Sequence, residues 1–188
     1  MLVLASQSPR RKQLLENAGF RFEVRAAAVD EIRLPGESPK AYVTRLAERK
    51  AFAIDCAVGE VVLAADTEVV VDGQTLGKPT DPSHAMEMLR LLSGRDHVVL
   101  SGICLRTLEH CVLDCVETKV IFRPLEEDEI QEYVQTGEPM DKAGGYAIQG
   151  IASRFVERIE GCFFNVVGLP VSTIDRHLRA LKNLLETR

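Results

Sequence analysis

Apolar positions along the chain change their period several times, and each change predicts an element. Leu2–Ala5 is a continuous apolar run, the pattern of a short strand buried on both faces. Ser8-Pro9 then opens a helix with proline in its first turn. Leu14, Leu15 and Ala18 form the apolar side of that helix, and Gly19 ends it. Phe22–Val24 reads as a second strand and Val29–Glu37, with Asp30, Glu31, Pro35 and Gly36, as a loop. From Ser38-Pro39 a second helix places Val43, Leu46, Ala47, Lys50 and Ala51 at helical spacing, with Lys50 at its apolar edge. Val61–Ala65 is again continuously apolar, a buried strand that ends at Asp66-Thr67 and resumes over Glu68–Val71. Asp72-Gly73 makes the following hairpin turn.

The second half alternates more. A loop at Gly77-Lys78-Pro79 leads to a helix from about Ser83 to Leu92, closed by Ser93-Gly94. His97–Leu108 and Cys111–Phe122 are two long antiparallel strands joined at Glu109-His110. In the second of them Asp114, Val116, Thr118, Val120 and Phe122 share a face, while Glu117 and Lys119 point the other way. Glu126–Tyr133 is an acidic helix entered through Pro124, and Gly137–Gly145 is a charged, glycine-bearing loop. Two short strands are expected near Tyr146–Gln149 and Arg154–Ile159. Pro170–Glu186 closes the chain as an amphipathic helix with Ile174, Leu178, Leu181 and Leu185 on one side. The sum is an α/β fold with a mixed sheet and inserted hairpins, not a plain βαβ series.

With 188 residues, this is one domain, or one body with two lobes around a cleft. No apolar stretch approaches the roughly 20 residues of a membrane span. The N-terminal apolar run precedes its charges, the reverse of a secretory signal. Five cysteines, an odd number without CxxC or a His/Cys zinc spacing, suit a reduced cytosolic protein. Net charge is −5, but unevenly spread: residues 1–50 hold ten Lys and Arg against six Asp and Glu, a net of +4. That pattern argues against non-specific nucleic-acid binding, which needs a broad basic face. It suits a small polyanion held by a few convergent cations.

The candidate chemistry lies at the element ends. Gly73–Pro79 imitates a phosphate-binding P-loop but fails it: the glycines are one residue too close, and Pro79 replaces the magnesium-binding hydroxyl. Lys78 is a loop lysine that can reach a phosphate or simply meet solvent. Ser6-Gln-Ser8-Pro9-Arg10-Arg11 marks a strand handing over to a helix N-terminus, where free N–H groups and arginines favour an anion. It is equally an ordinary helix start. Asp66, after an apolar strand, stands where α/β proteins place catalytic groups, or is an aspartate that makes a turn. Asp30-Glu31 reads on its own as a pair of solvated loop acids. Thr67 and Gln149 can read the edge of a base or serve as structural polar groups. The histidines 84, 97, 110 and 177 share no spacing and belong to surface or core. Asp141–Tyr146 is either a loop that lets backbone approach a ligand or a tight turn.

Together these pieces resemble the Maf family of nucleotide pyrophosphatases. The marks are LASQSPRR (4–11), VDE (29–31), RLAERKA (45–51), AADT (64–67), GKP (77–79), LSGRDH (92–97), DKAGGYAIQG (141–150) and VGLP (167–170). The resemblance implies one Maf-like domain over residues 1–188, elongated and two-lobed with a central cleft, similar to inosine triphosphate pyrophosphatases. It implies cleavage of a nucleoside triphosphate between the α and β phosphates, with Mg²⁺ or Mn²⁺ as a divalent cofactor. On this reading Ser6, Arg10, Arg11, Lys50 and Lys78 grip the phosphates. Glu31 and Asp66 are the acidic, metal-binding positions, with Asp66 the proton acceptor. Arg11, Thr67 and Gln149 bear on base selectivity. The tract DKAGGYAIQG is similar to the subgroup acting on dTTP and UTP, with clearance of modified pyrimidine nucleotides as an associated role.

Two rival readings stand beside this one. The first is a nucleotide-sensing regulator, since the family is associated with inhibition of septum formation. The second is a phosphatase that releases orthophosphate. The expected partner is a nucleoside triphosphate, with neither nucleic acid nor membrane. A homodimer is compatible with the sequence, which does not set the oligomeric state.

Overall fold

The computed structural model describes residues 1–26 and 28–186, with side chains as far as Asn183. The chain divides into two compact units. The first comprises Met1–Asp66, Ser101–Val116 and Gly168–Arg188, and the second Thr67–Leu100 and Glu117–Val167.

In the first unit β1 (Leu2–Leu4) and α1 (Pro9–Asn17) are followed by β2 (Phe22–Val24) and α2 (Pro39–Phe52). Next comes β3 (Val61–Val71), which runs on into the second unit. β1 pairs in parallel with both neighbours, Leu4 standing beside Val24 of β2 and Leu63 of β3. The chain therefore steps from β1 to one side and returns across it to the other. Right-handed crossovers running in opposite directions put their helices on opposite faces of the sheet. The carboxyl end of β1, beside β3, is where the strand order reverses, the place at which open α/β sheets bind ligands.

Helix α2 lies on the sheet through small side chains. Ala47, Ala51 and Ile54 pack with Val3, Ala5, Val62, Ala64 and Cys104, all buried. Ser38 caps α2 by accepting from the Ala41 amide, and Ser8 caps α1 in the same way through Arg11. The last helix of the chain, α6 (Val171–Glu186), buries Ile174 and Leu181 and half-buries Leu178; the side chain of Leu185 lies outside the described residues.

In the second unit β4 (Gln74–Leu76) returns antiparallel on β3 through a turn with Asp72 at φ 51° and Gly73 at φ 74°. Helix α3 (Pro82–Leu92) leads to β5 (Asp96–Arg106) and β6 (Cys111–Phe122), two strands that each contribute to both units. Helix α4 (Glu127–Gln135), β7 (Val156–Glu160) and α5 (Phe163–Val167) complete it. The mixed seven-stranded sheet has the order β2-β1-β3-β5-β6-β7, with β4 on β3. The second unit's core is aromatic: Phe122 meets His97, Tyr146 and Phe155 edge to face, and Tyr133 meets Phe155. His97 belongs to the core, its Nε2 2.7 Å from the Tyr146 hydroxyl.

Four expectations need correction. β3 does not end at Asp66-Thr67 but passes straight through it. The Asp66 carboxylate has a cationic partner there, and the β-branched Thr67 is at ease in a strand. Tyr146–Gln149 forms no strand, because Gly144 and Gly145 at φ 70° and 69° turn the backbone away from the extended region. Three 3-10 turns (Glu138–Asp141, Ala143–Gly145 and Ile151–Phe155) occupy that stretch instead. Ala18 is exposed, having been displaced from the apolar side by its place at the end of α1. Finally, α5 was not expected, since Phe163 and Phe164 are exposed and leave no amphipathic stripe.

Candidate functional site

Alternation along β3 delivers one carboxylate to one helix. Val62, Ala64 and Asp66 follow each other at every second residue, and the first two pack under α2. On the helix, Lys50 stands three residues after Ala47 and one before Ala51, at the edge of the buried stripe. The strand and helix approach through alanines, so the long lysine side chain reaches the short aspartate. Lys50 Nζ lies 2.6 Å from Asp66 Oδ1, with the two side chains only 12% and 9% exposed. The same ammonium lies 2.6 Å from Glu31 Oε1, whose side chain is 57% exposed. Two acids from a loop and a strand thus point at one cation, its charge shielded on one side and open on the other.

The loop that carries Glu31 is held by α2 along its backbone. Arg49 Nη1 donates to the Asp30 carbonyl at 3.0 Å, the Tyr42 hydroxyl to that of Glu31 at 2.9 Å, and Arg45 Nη2 to that of Ile32 at 3.0 Å. Arg45 also grips Glu37 with two nitrogens at 2.6 and 2.7 Å. That pair holds the Glu37 carboxyl down at about 2, against a smaller opposing effect of burial.

Ser6 is buried, and its hydroxyl accepts from the Ser8 amide at 3.2 Å and from Arg11 Nη1 at 3.3 Å. Arg11 Nε donates to the Gly168 carbonyl at 3.0 Å. Burial lowers the pKa of Arg11, and the charges of Asp66 and Glu31 oppose that shift while Arg10 adds to it. Arg11 is therefore within electrostatic reach of both acids. Arg10, half-buried, sits beside it in the first turn of α1.

Thr67, Lys78 and Gln149 belong to the second unit. In an unbroken strand neighbouring side chains leave opposite faces, so Thr67 projects away from the side that Asp66 takes. Lys78 is exposed on its loop, and the preceding carbonyl, that of Gly77, accepts from the Gly144 amide at 3.0 Å. Gln149 is exposed on a turn organised by Glu138. The Glu138 carboxylate accepts from the Tyr133 hydroxyl at 3.0 Å and the Ile151 amide at 3.2 Å. It fills the space where a β-carbon on Gly150 would stand, 2.3 Å from that atom's ideal position.

Reading the sequence for chemistry passed over Tyr42, Arg45, Arg49, Glu37 and Glu138. A signal for the first three was present: donors at 42, 45 and 49 share a helix side with one another, directly after an acidic loop. Glu37 and Glu138 carry no such mark.

The donor set suits a hard divalent cation. Glu31 and Asp66 already converge on one positive group, and magnesium and manganese prefer such oxygen ligands. Among the described residues no group of three or more His, Cys, Asp and Glu side chains is arranged for a metal. Two carboxylates that leave further positions to water and phosphate match the usual habit of Mg²⁺.

Among the described residues no helix is long and apolar enough to cross a membrane. In sequence the chain is 52% identical over 182 residues to a dTTP/UTP pyrophosphatase of Anaeromyxobacter dehalogenans (strain 2CP-C), covering 95% of this chain and 92% of that one. It is 49% identical over 183 residues to a dTTP/UTP pyrophosphatase of Geobacter sulfurreducens, covering 96% of each. A dTTP/UTP pyrophosphatase of Clostridioides difficile is 48% identical over 181 residues, covering 95% and 93%. Among solved structures, a nucleoside-triphosphatase / dITP/XTP pyrophosphatase of Mycobacterium abscessus is similar with a TM-score of 0.43 and 16% identity, covering 97% and 96%. The family model described as Maf-like protein matches residues 1–181. With that match over nearly its whole length, and relatives about half identical to it, the chain belongs to the Maf-like family.

Proposed function

We propose that this protein hydrolyses dTTP and UTP at the anhydride between the α and β phosphates, releasing the nucleoside monophosphate and pyrophosphate. The observation that carries the chemistry is the convergence of Glu31 and Asp66 on Lys50, in a chain about half identical to proteins named for that reaction.

The residues divide the work as follows. A triphosphate brings about four negative charges, which need several cations for neutralisation. Arg10, Arg11, Lys50 and Lys78 supply them, and Ser6 fixes the guanidinium of Arg11. Asp66 accepts a proton from a water molecule as its oxygen attacks the α-phosphorus. The bond from that phosphorus to the bridging oxygen breaks, and pyrophosphate leaves with its electron pair. Mg²⁺ or Mn²⁺ held by Glu31 and Asp66 would neutralise phosphate charge and polarise the phosphoryl group. Lys50, fixed between the two acids, orients both carboxylates and stabilises charge growing on the phosphate. Gln149 and Thr67 select the base, and the cytosol is the compartment that suits five cysteines joined by no disulfide.

A panel of nucleoside triphosphates with separate detection of pyrophosphate and orthophosphate, run with Mg²⁺ and with Mn²⁺, tests this reading. Pyrophosphate is expected from dTTP and UTP over many turnovers. Orthophosphate as the product would point to a phosphatase, and at most one turnover per site to a nucleotide sensor.

A further inference from the structure

We infer that Tyr42, Arg45 and Arg49 are positioning residues, which set where the Glu31 carboxylate stands relative to Lys50 and Asp66. The inference rests on the reaction proposed above and extends it to residues that touch neither acid's carboxylate.

Spacings of three and four along α2 put residues 42, 45 and 49 on one side of the helix. Each gives one hydrogen bond to a backbone carbonyl, and the three carbonyls are consecutive: Asp30 from Arg49, Glu31 from Tyr42 and Ile32 from Arg45. Glu31 is the central one. The loop has little else to fix it by packing, since Ile32 and Leu34 turn their side chains to solvent. Its hold is polar, and the bonds to its three consecutive carbonyls come from one helix.

That helix also carries Lys50, which takes the Glu31 carboxylate and joins it to Asp66. One rigid element therefore places the backbone of Glu31, orients its side chain and supplies the cation between the two acids. Arg45 is fixed in turn by its two-point grip on Glu37. Arg33 donates to the Glu37 carbonyl at 2.7 Å, closing the loop onto its own end. A carboxylate that is more than half exposed would otherwise sample many positions. Reacting groups need placement to about half an ångström, and that placement falls to the residues behind them. Removing such support typically lowers metal affinity or activity by about 10–100-fold.

Three variants test this. Tyr42→Phe removes a single hydroxyl, Arg49→Met removes a donor but keeps a stem, and Arg49→Lys restores one donor. For each, kcat and KM for dTTP, Mn²⁺ affinity of the resting protein by electron paramagnetic resonance, and the rate of tryptic cleavage after Arg33 are measured. Tyr42→Phe and Arg49→Met are expected to lose about 10-fold or more in kcat. KM should stay within about two-fold, because the phosphate grip is untouched. Mn²⁺ should bind more weakly and cleavage after Arg33 should be faster, with the circular dichroism spectrum unchanged. Arg49→Lys should recover most of each loss. Wild-type kcat and Mn²⁺ affinity in both variants would overturn the inference, as would losses that track the unfolded fraction and that Arg49→Lys leaves unrelieved. If the wild-type protein releases no pyrophosphate from any nucleotide, the proposed function fails instead. The Mn²⁺ and cleavage measurements then still decide the placement: changed values support it and unchanged values overturn it.

Discussion

A β-carbon on Gly102 would stand 2.3 Å from the carbonyl oxygen of Val43, so β5 and α2 meet backbone to backbone at that point. The contact sets the height of α2 above the sheet, and with it the reach of Lys50. Gly102→Ala should lift the helix or strain the strand, destabilising the protein by about 1–3 kcal/mol as overpacking does. Activity per folded molecule should also fall, because the Lys50–Asp66 distance has no slack. Urea unfolding together with kcat at saturating nucleotide checks both, and wild-type activity in a destabilised variant would separate the helix height from the chemistry.

Asp66→Asn keeps the shape of the side chain and removes its basic oxygen. Loss of proton acceptance alone should lower kcat by about 10²–10⁴-fold. Nucleotide binding should survive, since Ser6, Arg10, Arg11, Lys50 and Lys78 remain. The fold should survive as well, because Glu31 still faces the half-buried ammonium of Lys50. Single-turnover kinetics and a binding titration read the two effects apart. A variant within a few-fold of the parent would remove Asp66 from the mechanism.

Substrate choice should follow the hydrogen-bonding edge of the base. Thymine and uracil present an O4 acceptor and an N3 donor, and cytosine presents the reverse. A glutamine amide held in one orientation matches the first and mispairs with the second, at about 1–3 kcal/mol for each mismatched group. kcat/KM should therefore favour dTTP and UTP over CTP, and Gln149→Ala should flatten the difference. Gly150→Ala should weaken it less, since its β-carbon meets only the far end of the Glu138 side chain, which can swing aside and release the Ile151 amide. Unchanged selectivity in both variants would take Gln149 out of base recognition.

His97 gives the protein a defined acid response. Burial holds its pKa at about 4 against an ordinary 6.5, with Asp96 opposing weakly. The folded state thus disfavours a proton that the unfolded chain accepts. The stability this confers is complete above about pH 6.5 and is lost as pH falls toward 4. Between pH 7 and pH 5 the loss should be about 2 kcal/mol. His97→Asn should remove that part of the slope, which unfolding curves at the two pH values will show.

Much of the fold is written in local patterns. Ser8-Pro9, Ser38-Pro39 and Asp72-Gly73 each act through their nearest neighbours, and each forms the element it signals. What stays hidden depends on distant partners. Asp66 reads as a break in a strand until Lys50, sixteen residues away, arrives to pair with it. Tyr146–Gln149 reads as a strand because its largely apolar content cannot show the two left-handed glycines before it. Ser6, Arg11 and Asp66 are marked by their own surroundings and Lys50 by its place at an apolar edge, whereas Glu31 reads as a solvated loop acid until the family resemblance picks it out. The donors behind Glu31 carry only their shared helix side as a signal, and a tyrosine and two arginines on a helix are also what an ordinary solvated face carries.

Because α2 grips the 30–32 segment by its carbonyl oxygens, the loop's sensitivity to inherited change has an unusual form. Every residue type carries a carbonyl, so replacements at Asp30 and Ile32 leave the three acceptors where they were. Adding or deleting one residue shifts every acceptor off its donor at once and carries Glu31 away from Lys50. Length here is under tighter constraint than identity, with Glu31 itself as the exception.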